Sequence, residues 1–102
     1  MAKGYCVYIL VCTDDSFYTG FTRDLDRRLS EHKAGRGARW TKRRRPVKLM
    51  FHLDGLGSYR TALRVEAYIK TLSRERKKAL IEGDSKVLAL VKKRAAQDIG
   101  AA

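Results

Sequence analysis

The stretch YCVYILVCTDDSFYTGF, residues 5–21, decides the fold because its composition predicts a β-hairpin. Residues 5–12 are β-branched, aromatic and other apolar side chains, which are typical of a strand. The turn formers TDDS follow, and residues 17–21 make a second short aromatic strand. We therefore predict two antiparallel strands joined near Asp14 and Asp15.

The length of the turn decides whether two tyrosines share a face of this hairpin. Side chains alternate between the faces of a strand, and Tyr8 and Tyr18 lie on neighbouring strands. A loop with an odd number of residues brings both to the same face, whereas a two-residue loop separates them. The sequence leaves both registers open.

Helices and one more strand follow the hairpin. Thr22 or Asp24 caps a helix over 24–34, which Gly35 ends. A basic loop then precedes a third strand and three helices, predicted over 36–46, 47–53, 59–73, 75–82 and 84–95. This order lacks βαβ repetition, so we predict an α/β (α+β) fold, a small three-stranded, mostly antiparallel sheet flanked by helices.

Length and charge bound the class of protein. The 102 residues predict one domain, 1–95, and a frayed tail, 96–102. The 23 Lys and Arg against 11 Asp and Glu give a net charge of +12, which favours a polyanionic partner, nucleic acid before a membrane surface. No apolar run of about 18 residues spans a bilayer, and no signal-peptide cleavage site follows the first strand.

The two cysteines predict a reducing compartment. Cys6 and Cys12 lie about 20 Å apart along one predicted strand at ~3.3 Å per residue, beyond the Cα separation of about 7 Å that a disulfide allows. No metal-binding spacing of Cys and His is present, and His52 is interpreted as structural. We expect two buried thiols in a cytoplasmic protein.

The first helix places an arginine and a histidine on its inner face. Leu25, Arg28, Leu29 and His32 share that face at about 100° per residue, whereas Arg27 points to the opposite side. An arginine that faces inward calls for an anionic partner. In the helix over 59–73, a glutamate at the edge of the apolar stripe, Glu66, either pairs with Arg28 or Lys70 or holds a hard cation.

In order, these residues resemble the GIY-YIG nuclease family over roughly residues 4–82. The motif Gly-Ile-Tyr is matched by Cys6-Val7-Tyr8, and Tyr-Ile-Gly by Tyr18-Thr19-Gly20. The family's arginine, helical histidine and metal-binding glutamate fall on Arg28, His32 and Glu66. Cys6, Thr19 and Phe21 depart from residues found in other members. The closest likeness is to the small stand-alone bacterial proteins of this family.

The resemblance implies a divalent-metal-dependent endonuclease that uses Mg²⁺ or Mn²⁺. Glu66 would hold one ion and Arg28 would stabilise charge on the scissile phosphate. Tyr8 would orient or deprotonate the attacking water, its pKa lowered by the metal and the arginine. Tyr18 and His32 would assist, His32 as a proton relay that titrates near neutral pH. Related enzymes cut branched DNA, which implies DNA rather than RNA, in structured or branched form, and a role in repair or recombination.

A basic run supplies the predicted binding surface. Trp40 would stack on an unpaired base or pack against its own domain. Six cations surround it and would contact phosphates: Arg36, Arg39, Lys42, Arg43, Arg44 and Arg45. A merely solvated loop is the alternative. Besides the nuclease, two functions stay open: a non-catalytic nucleic-acid-binding module for DNA or RNA, and a basic adaptor for a protein. For a nuclease, a protein partner would supply substrate specificity.

Overall fold

The computed structural model describes residues 4–100, with side chains described for residues 4–96. Its elements, in chain order, are β1 (Tyr5–Val11), β2 (Phe17–Thr22), α1 (Leu25–Lys33), α2 (Arg39–Lys42), β3 (Lys48–Leu56), α3 (Tyr59–Thr71), α4 (Arg74–Ile81) and α5 (Ser85–Gly100). The predicted three-stranded sheet with flanking helices is confirmed. Among the described residues, no helix is long and apolar enough to cross a membrane.

Three segments differ from the sequence prediction. The third strand was predicted over 47–53, but β3 spans Lys48–Leu56. The basic stretch was expected to be a loop, and it contains the short helix α2. The last helix was predicted over 84–95, but α5 spans Ser85–Gly100. The expected fraying of 96–102 stays a prediction, and residues 101–102 lie outside the described part. A helical pattern near a chain end carries no stop signal of its own, so its end was placed too early.

The sheet is antiparallel throughout, with the strand order β2-β1-β3. The central strand β1 is buried on both faces, which explains its continuous apolar sequence. Val7 and Ile9 pack against residues of α3, α4 and α5 in the larger core. Tyr8 and Leu10 face the other way, into a smaller core that includes the inner face of α1. The candidate site is built on this second face.

The hairpin loop has an odd length, as a shared tyrosine face requires. Five residues, Cys12–Ser16, separate the two strands, and Tyr8 pairs with Gly20 while Leu10 pairs with Tyr18. The Asp14 carboxylate closes the loop by accepting hydrogen bonds from the Ser16 hydroxyl at 2.6 Å and the Ser16 amide at 3.1 Å. Tyr8 and Tyr18 therefore lie on the same face of the sheet.

Helix α1 begins where the sequence predicted a cap. The Asp24 carboxylate accepts a hydrogen bond from the Arg27 amide at 3.1 Å and so caps the helix. The Arg27 side chain is 77% exposed and that of Arg28 is 33% exposed. The predicted inward orientation of Arg28 is confirmed, because the helix turns its buried face, including His32, towards the sheet.

Candidate active site

A chain of three buried side chains forms the centre of the site. The Tyr8 hydroxyl lies 2.8 Å from Nε2 of His32, and Nδ1 of His32 lies 2.8 Å from the hydroxyl of Thr41. All three side chains are almost completely buried. They come from β1, α1 and α2, so three separate segments of the chain meet at the imidazole ring.

The hydrogen-bond partners fix where the protons of this chain lie. Thr41 donates its single hydroxyl proton to the carbonyl of Ala38 at 2.9 Å. Its oxygen therefore accepts from His32, which must carry its proton on Nδ1. Nε2 is then an unprotonated acceptor, and Tyr8 donates to it. The imidazole is neutral and poised to take the phenol proton of Tyr8.

His32 is neutral at physiological pH for a physical reason. Burial of the ring, followed by the nearby positive charge of Arg28, lowers the pKa of His32 to about 4. The expectation that His32 titrates near neutral pH is wrong, because the sequence does not show how completely α1 and α2 enclose the ring. The side chain can act as a base from its neutral form.

Tyr8 also departs from the expected direction. Burial raises the pKa of Tyr8 to about 12, outweighing the hydrogen bond from Arg28, which acts to lower it. In the protein by itself, desolvation of a phenolate outweighs one partly exposed cation. The expected lowering depends on a bound metal as well as on the arginine and stays a prediction for the metal-bound site. The Tyr8 hydroxyl stays protonated in the resting site.

Tyr18 and Arg28 complete one wall of the site. The ring of Tyr18 lies 5.2 Å from the ring of His32 and 6.4 Å from that of Tyr8, measured between centroids. The anionic partner of Arg28 is Glu31, with Nη1 and Oε1 separated by 3.0 Å. Because Arg28 keeps a third of its side chain in solvent, an incoming anion can reach its guanidinium.

The glycine of the second motif makes room for Tyr8. A Cβ atom on Gly20 would lie 2.6 Å from the Tyr8 hydroxyl oxygen and 2.8 Å from the adjacent ring carbon. Contacts of this length are repulsive, so any side chain here displaces the phenol from His32. Glycine is required at position 20 because the backbone approaches the Tyr8 ring so closely.

Glu66 projects from α3 at the border of the same site. Its side chain is 16% exposed, and its carboxylate lies 3.6 Å from Nζ of Lys70. The carboxylate also acts electrostatically on the Tyr8 hydroxyl. The structure thus shows the Lys70 pair and not the Arg28 pair. A carboxylate whose ion pair with Lys70 is as long as 3.6 Å fits a hard divalent cation that keeps most of its water ligands.

The basic segment packs directly on the histidine. A Cβ on Gly37 would overlap Nδ1 of His32, so the backbone of this segment lies against the imidazole. Gly35 and Gly37 lie with four of the predicted cations around a concavity of about 570 Å³: Arg36, Arg39, Lys42 and Arg43. Within residues 4–96 none of these four cations forms an ion pair.

The other two predicted cations have internal partners. Arg44 lies 3.1 Å from the Asp14 carboxylate, donates to the Trp40 carbonyl at 3.0 Å and stacks 3.4 Å above the Trp40 ring. Arg45 donates to the Lys42 carbonyl at 3.0 Å. Trp40 remains about half exposed. These contacts hold the shape of the segment and occupy both arginines.

Sequence reasoning missed Thr41 and Lys77 in this region, and it named Lys70 only as a possible partner of Glu66. Thr41 lies nine residues after His32 within a basic run, and no local pattern marks it as a partner of the histidine. Lys70 and Lys77 line a pocket of about 280 Å³ together with Trp40 and Tyr18. Their positions on α3 and α4 gave no sign of this approach, because the pocket depends on how those helices cross β2.

The paired tyrosines of the hairpin, the arginine and histidine of α1 and the glutamate of α3 follow one another in the chain order of the GIY-YIG motifs. Residues 4–79 match the family model of the GIY-YIG catalytic domain, and the chain belongs to the GIY-YIG family. The site residues thus lie in a nuclease-family domain.

Similar proteins of comparable length carry the same fold. The chain is 48% identical to UPF0213 protein SH2523 of Staphylococcus haemolyticus, covering 80% of this chain and 98% of that protein. It is 41% identical to UPF0213 protein NP_0776A of Natronomonas pharaonis, covering 83% and 99%. The solution structure of UPF0213 protein BH0048 from Bacillus halodurans is 39% identical with a TM-score of 0.50, covering 82% of this chain and 92% of that one. The solution structure of EF2693 from E. faecalis is 36% identical with a TM-score of 0.53, covering 80% and 88%.

Proposed function

We propose that this protein is a divalent-metal-dependent endonuclease that hydrolyses phosphodiester bonds in DNA, with structured or branched DNA as its substrate in repair or recombination. The observation that carries the proposal is the buried hydrogen-bonded chain from Tyr8 through His32 to Thr41. It stands beside a reachable arginine and a partly buried glutamate. A purely structural role does not call for this combination.

The proton route follows from the hydrogen bonds. The attacking water gives a proton to the Tyr8 oxygen while the Tyr8 proton moves to Nε2 of His32, which becomes an imidazolium. Thr41 continues to accept from Nδ1, so the ring does not need to rotate. Thr41 therefore fixes the tautomer that makes His32 a base towards Tyr8.

This transfer is unfavourable in the resting site, with the pKa of Tyr8 at about 12 and that of His32 at about 4. The negative charge of a bound phosphate raises the pKa of the imidazole. Glu66 would hold a divalent cation, Mg²⁺ or Mn²⁺, whose positive charge would lower the pKa of nearby hydroxyl groups. Binding of substrate and metal would therefore bring the pKa of Tyr8 and that of His32 closer together, which makes the proton transfer less unfavourable.

Arg28 stabilises charge on the phosphate, and the cationic concavity binds the nucleic-acid backbone. Arg28 reaches the Tyr8 hydroxyl from α1, so a phosphate at that oxygen also meets the guanidinium, which stabilises the developing charge. Arg36, Arg39 and Arg43 on the segment that packs against His32 hold the nucleic-acid backbone beside the reacting group. Trp40 and Lys70 extend this surface past Tyr18.

The protein's setting follows from the same features. Both cysteines are buried free thiols, which fits a reducing compartment, so we place the protein in the cytoplasm. We retain residues 1–95 as a single catalytic domain, to which a protein partner supplies substrate specificity. Nothing in this setting calls for a membrane.

The test is cleavage of a panel of duplex, single-stranded, flapped and branched DNA with Mg²⁺, Mn²⁺ or EDTA. We expect the wild type to cut a structured substrate only with metal. Glu66→Gln should abolish cutting while leaving DNA affinity without metal nearly unchanged. Glu75→Gln, an exposed acid on α4, is the matched control and should cut normally. Equal cutting by wild type and Glu66→Gln would show that the site assignment is wrong.

The high pKa of Tyr8 favours a second candidate, a nucleic-acid-binding module for DNA or RNA that keeps the fold without the activity. In that case no member of the panel is cut with either metal, whereas binding through the cationic concavity persists. The same panel, extended with RNA of matched shapes, separates the two functions.

A further inference from the structure

Three potential metal ligands meet outside the site described above. The Sγ of Cys6, a ring nitrogen of His52 and a carboxylate oxygen of Asp54 all lie within 4.8 Å of one another. Nδ1 of His52 and Oδ1 of Asp54 are 2.9 Å apart. Cys6 is buried at 7% exposure, whereas the side chain of His52 is 48% exposed. The prediction that His52 is structural does not account for so exposed a side chain.

The antiparallel register of β1 and β3 creates this cluster. Tyr8 pairs with His52 and Val7 with Leu53, so the next step of the ladder puts Asp54 opposite Cys6 and on the same face as His52. The ladder is then interrupted by a β-bulge, because Tyr5 pairs with Leu56 and β3 carries one extra residue there. The sequence separation of 46 residues between Cys6 and His52 hides the cluster from any spacing rule.

The surroundings of this cluster are acidic and attract cations, whereas the chain as a whole is strongly positive. The cluster opens into a cleft of about 640 Å³ that is also lined by Asp24, Asp26 and Arg23. Arg23 is held over the ring of Tyr5 at 5.1 Å. With Asp54, three carboxylates face one guanidinium, a local excess of acid in a protein of net charge +12. Such a cleft suits a metal cation and disfavours a phosphate.

We propose that Cys6, His52 and Asp54 bind a borderline transition-metal cation of the Zn²⁺ type, with a fourth position open to the cleft. One thiolate, one imidazole and one carboxylate are ligands that Zn²⁺ accepts, whereas Mg²⁺ does not take sulfur. Tetrahedral Zn²⁺ requires ligand atoms roughly 3.5 Å apart. The ligand atoms now lie within 4.8 Å of one another. The exposed side chains of His52 and Asp54 need only a small movement to bring these atoms to the required separation.

Metal binding releases one proton from the cluster to solvent. The Cys6 thiol loses its proton to solvent and binds as thiolate, His52 binds as the neutral ring, and the cation replaces the hydrogen bond between His52 and Asp54. The ion would connect β1 to β3 across the bulge. This site is separate from Glu66, whose lone carboxylate suits a hard ion.

Cobalt(II) provides the test, because a thiolate ligand gives a charge-transfer band in the near-ultraviolet. Untagged wild-type protein titrated with Co²⁺ should bind one ion with this band, and Zn²⁺ but not excess Mg²⁺ should displace it. Cys6→Ser should lose the band, and Asp54→Asn should weaken affinity about 10-fold or more. Cys12→Ser, the other buried thiol, is the matched control and should behave as wild type.

The proposal is overturned if wild type takes up no Co²⁺ or if the band survives Cys6→Ser. Because His52 and Asp54 are exposed, His52→Ala and Asp54→Asn keep the test valid if Cys6→Ser fails to fold. Retained affinity in both of these variants would also reject the site. The readout is independent of nuclease activity, so failure of the proposed function leaves it unaffected.

Discussion

The hydroxyl of Thr41 accepts a hydrogen bond from Nδ1 of His32 at 2.8 Å. This hydrogen bond links the basic segment to the helix that carries the histidine. A single hydrogen bond thus connects the surface proposed to hold nucleic acid with the group proposed to move a proton. Loss of this hydrogen bond would therefore affect both nucleic-acid binding and proton transfer.

Thr41→Val tests this connection because it keeps the shape and removes the hydroxyl. The buried Nδ1 proton loses its acceptor, so we expect the free energy of unfolding to fall by about 1–3 kcal/mol and the cleavage rate to fall with it. Thr41→Ser keeps the hydroxyl and should retain most of both. Urea unfolding and single-turnover cleavage provide the measurements. Equal rates for the valine and serine variants would show that the hydrogen bond has no part in catalysis.

Gly20→Ala tests the position of Tyr8. The added methyl group would meet the phenol oxygen at 2.6 Å and push the ring from His32, and a displacement of about 1 Å can cost on the order of 10²-fold in rate. We expect a loss of that size with DNA affinity preserved. Gly57→Ala is the control, because a Cβ there meets no atom within 4 Å. If both variants cut like wild type, the Tyr8–His32 contact is not needed.

The low pKa of His32 predicts how stability depends on pH. In the unfolded chain the ring takes its ordinary value of 6.5, and in the folded protein about 4. Between these values a falling pH protonates the unfolded chain first, so stability is complete above 6.5 and is lost towards 4. We expect the free energy of unfolding to drop by about 2 kcal/mol between pH 7 and pH 5.

An NMR titration checks the same pKa directly. His52→Gln leaves His32 as the chain's one histidine, so its ring protons are unambiguous. Their chemical shifts should stay constant from pH 7.5 to pH 5.5. A midpoint near 6.5 would contradict the burial and the tautomer assigned to the ring.

The cationic concavity predicts a specific salt dependence. Replacing Arg36, Arg39 and Arg43 by alanine should weaken duplex binding and reduce the slope of log K against log salt by about 0.9 for each lost phosphate contact. The same loss of charge on α5, through Lys86, Lys92 and Lys93, is the matched control. An unchanged slope in the first variant would place the binding surface elsewhere. Arg44 and Arg45 are left intact because their internal contacts hold the segment in shape.

Local patterns in the sequence were sufficient for most of the framework. β-Branched and aromatic composition together with turn formers placed β1 and β2, and helical periodicity set Arg28 inward and Arg27 outward. These features depend on residues a few positions apart, where chain geometry alone relates one side chain to the next. The family motifs then selected Tyr8 and Glu66.

Contacts between distant segments decided the rest. The sequence offered Glu66 two partners, and packing put it beside Lys70. It predicted an ordinary pKa for His32 and, with a metal bound, a lowered pKa for Tyr8, whereas burial lowers the pKa of His32 and raises that of Tyr8 in the protein by itself. The Cys6 cluster exists because the antiparallel register of β1 and β3 sets His52 opposite Tyr8 and Asp54 next to Cys6. Desolvation and register are set by atoms far apart along the chain, so a local pattern cannot encode them, and they arise only when the elements pack.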